Sequence, residues 1–164
     1  MKIDSLETLY VHELKDLYNA EKQLASALPR MNDKATDTDL KQAFSRHLDE
    51  TNGHIQRLEK IFEKLGESPT GETCEAMKGL IREAEDVMHN VSDKQVLDAA
   101  LIAAAQRVEH YEIAGYGTAR TYARRLNDND AANLLQQTLD EESKTDKLLT
   151  DIAEQQANPR AQKA

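Results

Sequence analysis

The sequence predicts an all-α protein built as a bundle of four long helices, and three observations carry that prediction. Apolar residues recur at helical spacing through most of the 164 residues, and no stretch alternates apolar and polar for long enough to make a strand. Only six Gly and three Pro interrupt a chain rich in Ala, Leu, Glu, Lys and Gln, the residues that favour helix. Carboxylates also sit inside the apolar stripes. Glu21 lies in the row Tyr10, Leu14, Leu17, Glu21, Leu24, Leu28, and Glu50, Glu109, Glu112 and Glu142 hold comparable places further along. Burying one unpaired carboxylate costs several kcal/mol, so five demand compensating positive charge.

The first helix is expected to start near Asp4 or Ser5, with Glu7 in its first turn, and to run to about Met31, where Asn32-Asp33-Lys34 ends it. Asp37 or Thr38 caps a second helix with the row Leu40, Phe44, His47, Thr51, His54, Leu58, Ile61, Leu65, closed by Gly66. Glu67 to Gly71, containing Pro69, reads as a turn. A shorter amphipathic helix follows through Met77, Leu80, Ile81, Ala84, Val87 and Met88, with Cys74 as a small core residue on it. Ser92 and Gln95 form a capping box that opens the third long helix, through Ala105, Val108, Glu112 and Tyr116. Asn127-Asp128-Asn129-Asp130 breaks the chain, and the fourth long helix runs through Leu135, Thr138, Glu142, Leu149 and Ile152. Residues 1–157 thus make one domain, with 158–164 a flexible tail. Two hairpins joined by a long crossover match the one-crossover connectivity of ferritin-like bundles.

A formal charge of −9 and a pI of 5.0 argue against nucleic acid and anionic membranes as partners. No segment approaches the ~20 apolar residues that a spanning helix needs, and MKIDSLETLY has no apolar signal core. A lone cysteine rules out an intramolecular disulfide, so the expected location is the cytoplasm.

The chemistry converges on the carboxylates. His47, Glu50 and His54 share one face of the second helix; Glu109 and Glu112 stand one turn apart on the third; Glu142 lies between Thr138 and Thr145 on the fourth. With Glu21 they would surround two divalent ions, Fe or Mn by donor type with Zn not excluded. Either His47 or His54 could ligate, the other serving as a hydrogen-bond partner; His54 is the expected ligand and His47 the alternative. Tyr116, Asp16 and Asp146 are further candidates for supporting the site. His110 points about 100° away from Glu109, and His12 and His89 belong to the surface or an interface. An internal salt-bridge network is the competing account, but Lys22, Arg107, Lys144 and Lys147 fall off the acidic rows. Gly115 and Gly117 suggest a close approach by another helix or by a partner chain.

The segments DLYNAEKQL (16–24), HLDET (47–51), AAQRVEHYEIAGYGT (104–118) and TLDEESKTDKL (138–148) resemble the YciF-type (DUF892) proteins of the ferritin-like superfamily, a bacterial stress-associated group. The resemblance covers nearly the whole chain and implies a cytoplasmic four-helix bundle, a homodimer and a dimetal site. The Glu109/Glu112 pair is similar to the doubled glutamate of rubrerythrins, which would make Glu21, Glu50, Glu109, Glu112 and Glu142 the ligands. The chain departs from the Glu-x-x-His pattern: Gly53 stands third after Glu50, and Thr145 third after Glu142. Such a centre would react with O2 or peroxide. The alternatives are a stress-induced structural or interaction protein that metal only stabilises, and a metal-free bundle holding protonated carboxylates.

Overall fold

The computed structural model describes residues 2–164, and among these it is helical with no strand. Four long helices form the bundle: α1 (Leu6–Lys34), α2 (Thr38–Leu65), α4 (Lys94–Arg125) and α5 (Asn129–Ile152). The short α3 (Glu75–Asn90) lies in the crossover between α2 and α4 and packs against α1 and α4. α1 pairs with α2 and α4 with α5 as hairpins, while the contacts of α1 with α4 and of α2 with α5 close the square. Among the described residues, no helix is long and apolar enough to cross a membrane.

The helix ends follow from local chemistry. Ser5 caps α1 by accepting from the Thr8 N–H, and Thr8 returns the bond to the Ser5 backbone. α1 continues one turn past Met31, through Pro29, whose missing N–H falls on an exposed face where Arg30 Nη1 donates to the Ser26 carbonyl at 3.2 Å. Asp37 caps α2 through the Asp39 and Leu40 N–H groups, and Gly66, at φ +68°, closes it in the left-handed conformation. Asp93 rather than Ser92 caps α4, accepting from the Gln95 and Val96 N–H groups; the expected capping box is one residue out of register. Cys74 is buried as expected, but it stands at the N-cap of α3, not within it, with Sγ accepting from the Met77 N–H at 3.4 Å.

The C-terminal segment expected to be a flexible tail begins with a short helix. A π-helical turn (Ala153–Ala157) leads into α6 (Asn158–Ala161), and Arg160 Nη1 donates to Asp37 Oδ2 at 2.6 Å. Asp98, at the start of α4, accepts from the backbone N–H groups of Thr36 and Asp37 and from the Thr36 hydroxyl. The α1–α2 turn, α4 and α6 are thereby tied together at one end of the bundle.

The apolar core is in two parts. One holds Leu24, Leu28, Met31, Leu40, Phe44, Leu101, Val108, Leu149 and Ile152; the other holds Tyr10, Leu14, Leu17, Leu58, Ile61, Phe62, Tyr116, Ala119, Ala123 and Leu135. Each long helix contributes to both, so each crosses the gap between them near its midpoint. Polar side chains fill that gap.

Candidate metal centre

Helical spacing puts the polar layer there. On α1, Glu21 sits between the apolar residues Leu17 and Leu24; on α4, Glu109 and Glu112 fall between Val108 and Tyr116. On α2, His47 and His54 lie between Phe44 and Leu58, and on α5, Glu142 lies between Leu135 and Leu149. Glu21, His54, Glu112 and Glu142 are wholly buried, and Glu109 and His47 nearly so.

Two groups of donors form within the layer, each with its ligand atoms within 4.8 Å of one another: His47, Glu109, Glu112 and Glu142, and separately Glu21, His54 and Glu142. Glu142 belongs to both. His47 Nε2 is 2.9 Å from Glu109 Oε1, and His54 Nδ1 is 3.1 Å from Glu21 Oε1 and 3.0 Å from Glu142 Oε1. The Tyr116 hydroxyl donates to Glu21 Oε1 at 2.5 Å, the hydrogen-bonding role its position in the sequence allows.

Much of this donor set is unsatisfied. Both oxygens of Glu112, both of Glu142, Glu21 Oε2, Glu109 Oε2 and both ring nitrogens of His47 are buried without an aligned hydrogen-bond partner. Orphaned buried groups of this kind each cost about 1–3 kcal/mol, more when charged. Two of the carboxylates, Glu112 and Glu142, respond by holding their protons more tightly. Burial, with Glu21, Glu142 and Glu109 nearby, pushes Glu112 well above the usual carboxyl range, and burial pushes Glu142 up to about 8 despite its contact with His54. Burial opposes the charging of the histidines, but Glu142 and Glu21 raise His54 to about 10, and Glu109, Glu50 and Glu142 lift His47 well above its usual value. Four carboxylates and two imidazoles thus share this layer, and among the described residues no Lys or Arg is buried with them. Lys22, Arg107, Lys144 and Lys147, the cations a salt-bridge network would need, are all exposed. Two divalent cations would balance four carboxylates with both imidazoles neutral. The donors therefore fit metal binding by charge, by type and by their unused lone pairs.

Three expected residues lie elsewhere. Glu50 is at the rim, its side chain 25 % exposed, where it accepts from the Thr145 hydroxyl at 3.2 Å and faces Arg46 Nε at 3.6 Å. Burial pushes its carboxyl up, but His47, Arg46 and Thr145 together hold it below the usual range. Asp16 accepts from the Tyr111 hydroxyl, and Asp146 faces Gln106 and His110, so neither touches the cluster. His110 is exposed, as its helical angle predicts.

Glu141 and Arg57 escaped the sequence reading. Glu141 Oε2 is 2.8 Å from His54 Nε2, and Arg57 grips both Glu141 oxygens at 2.6 and 2.8 Å. Arg57 and His54 together hold the Glu141 carboxyl below the usual range, although burial opposes them. Only the position of Arg57 one turn beyond His54 hints at this contact in the sequence.

Fold and polar layer define a class: a ferritin-like helical bundle with a buried His/Glu cluster that could hold metal at mid-height. The chain belongs to the DUF892 family, a domain of unknown function whose pattern matches residues 5–162. It is 45 % identical to protein YciF of Escherichia coli K12 over 163 residues, 99 % of this chain and 98 % of that one. The crystal structure of the E. coli stress protein YciF superposes with a TM-score of 0.91, covering 95 % of this chain and 99 % of that one. YcfI of Rhodopseudomonas palustris, also 45 % identical, gives 0.88 over 91 % and 95 % of the two chains. A two-domain protein of Anabaena variabilis, with DJ-1/ThiJ/PfpI-like and ferritin-like domains, shares the fold at 17 % identity, with a TM-score of 0.62 over 91 % of this chain and 37 % of its own.

Proposed function

We propose that this protein binds a pair of divalent ions, iron or manganese, in the polar layer, and reacts there with O2 or peroxide during stress. The observation that carries the reading is the convergence of His47, Glu109, Glu112 and Glu142 with Glu21 and His54, buried and largely without hydrogen-bond partners. Glu142, common to both donor groups, would bridge the ions; His47, Glu109 and Glu112 would hold one, and Glu21 and His54 the other. Bound there, such a pair would supply Lewis acidity and redox change. The chain's own contribution is a rigid, dry pocket: helices fix the donors, Tyr116 holds Glu21 in place, and the two apolar cores exclude water above and below. Glu50 and Glu141, 25 % and 28 % exposed, mark the α2–α5 face as the side from which a small oxidant approaches. The similarity to the E. coli stress protein YciF supports the stress setting, and the reading extends to a cytoplasmic homodimer acting on small molecules.

The test is to load the metal-free chain anaerobically with Fe(II), add O2 or hydrogen peroxide, and follow iron oxidation by stopped-flow absorbance. Oxidation well above that of free Fe(II), lost in Glu142→Ala, is the expected result. A rate equal to free Fe(II) would leave the second reading, a bundle that metal only stabilises, which the description of R. palustris YcfI as a candidate structural protein favours.

A further inference from the structure

The two histidines of the layer are held differently. His47 has no aligned partner at either ring nitrogen. His54 is gripped from outside: Nε2 meets Glu141 Oε2 at 2.8 Å, while Nδ1 faces Glu21 and Glu142. Glu141 is itself fixed by a two-pronged contact with Arg57, which also donates from Nη1 to the Thr138 hydroxyl at 3.1 Å. Glu141 precedes Glu142 on α5, so it points about 100° away from the cluster and reaches His54 from the rim.

We propose that Glu141 and Arg57 are positioning residues that dedicate His54 Nδ1 to one of the two metal positions, leaving the other position independent of them. The inference rests on the dinuclear reading above. An imidazole binds a cation through a bare nitrogen, and the proton must then reside on the other one. An ionised acceptor against Nε2 keeps the proton there and frees the Nδ1 lone pair. A free carboxylate side chain would lose rotamer entropy in making that contact, but the Arg57 fork has already immobilised Glu141. The corresponding rim carboxylate beside His47, Glu50, stands 3.9 Å from Nδ1, beyond hydrogen-bond distance, and has no two-pronged arginine contact, so loss of Glu141 falls on one ion only.

The experiment titrates Mn2+ into the metal-stripped full chain and follows binding by EPR, with folding checked by circular dichroism. Wild type is expected to take up two ions and show a spin-coupled signal. Glu141→Ala is expected to bind the first ion as wild type does and the second about 10–100-fold more weakly, leaving the uncoupled sextet of a lone ion. Glu141→Gln keeps an oxygen for the Nε2 proton and restores most of the second affinity. In a His54→Ala background, Glu141→Ala changes nothing further. Wild-type affinity for both ions in Glu141→Ala, an equal loss at both positions, or an added loss in the His54→Ala background would overturn the positioning role alone. A wild-type chain that binds no Mn2+ would overturn the dinuclear reading, and this inference with it.

Discussion

Glu112 is wholly buried, and both of its carboxylate oxygens lack a hydrogen-bond partner. Glu112→Leu is therefore expected to stabilise the metal-free chain by the ~1–3 kcal/mol that an unsatisfied buried group costs, raising its melting temperature, and to reduce any stabilisation by added metal. Calorimetry with and without Mn2+ checks both signs; a variant less stable than wild type without metal would mean that Glu112 has a structural partner. The candidate donors Glu21, His54, Glu109, Glu112 and Glu142 were legible because helical spacing alone places an acid or imidazole in an apolar row. Glu50 satisfied the same rule, yet it sits at the rim. A one-dimensional row cannot say how far a stripe turns toward its neighbour, and Arg46 and Thr145 supply the partners that hold Glu50 outside. Glu141 and Arg57 were not legible, because their contact joins positions 84 residues apart and both belong to solvated faces when each helix is read alone.

Among the elements, α1 packs tightly against α4 at Gly115, where an added Cβ would stand 2.7 Å from Leu17 Cδ2, while nothing lies within 4 Å of an added Cβ at Gly117. Gly115→Ala is expected to lower stability, since overpacking of about 1–3 kcal/mol outweighs the gain in helix propensity. Gly117→Ala, with no clash, gains about 0.5–1 kcal/mol, read as the difference between the two denaturant midpoints. Should Gly117→Ala instead destabilise, a partner chain packs there. The sequence presents the two glycines as a pair, and only the packing separates them. The order of the four long helices and the short one in the crossover could be read from periodicity and caps, because those signals are local. The ends were less legible: Ser92 and Asp93 are both competent caps, and geometry chose Asp93. The tail carries no apolar run to announce that it docks, and its attachment through Arg160 to Asp37 spans the length of the chain.

For the molecule as a whole, the polar layer couples stability to pH. Glu142 rises from 4.5 to about 8 in the fold and His54 from 6.5 to about 10, so the folded metal-free chain binds more protons than the unfolded one across that range. Stability from these groups is complete below the unfolded values and falls as pH rises through the folded ones. Metal-free protein should accordingly melt at progressively lower temperature from about pH 5 to pH 9, whereas metal affinity should rise with pH as the ions displace those protons. Melting curves at fixed ionic strength test this, and a metal-free melting temperature that climbs toward pH 9 would show that the cluster is not proton-rich. Such a layer is costly to fold without compensating charge, and the costs are concentrated in one plane of the bundle.

The most direct test of that account is the metal content of protein purified without a metal-affinity tag, measured by elemental mass spectrometry. The account predicts about two iron or manganese ions per chain, in keeping with the dinuclear carboxylate sites of such bundles. Essentially no metal, persisting after anaerobic reconstitution with Fe(II) or Mn(II), would contradict it.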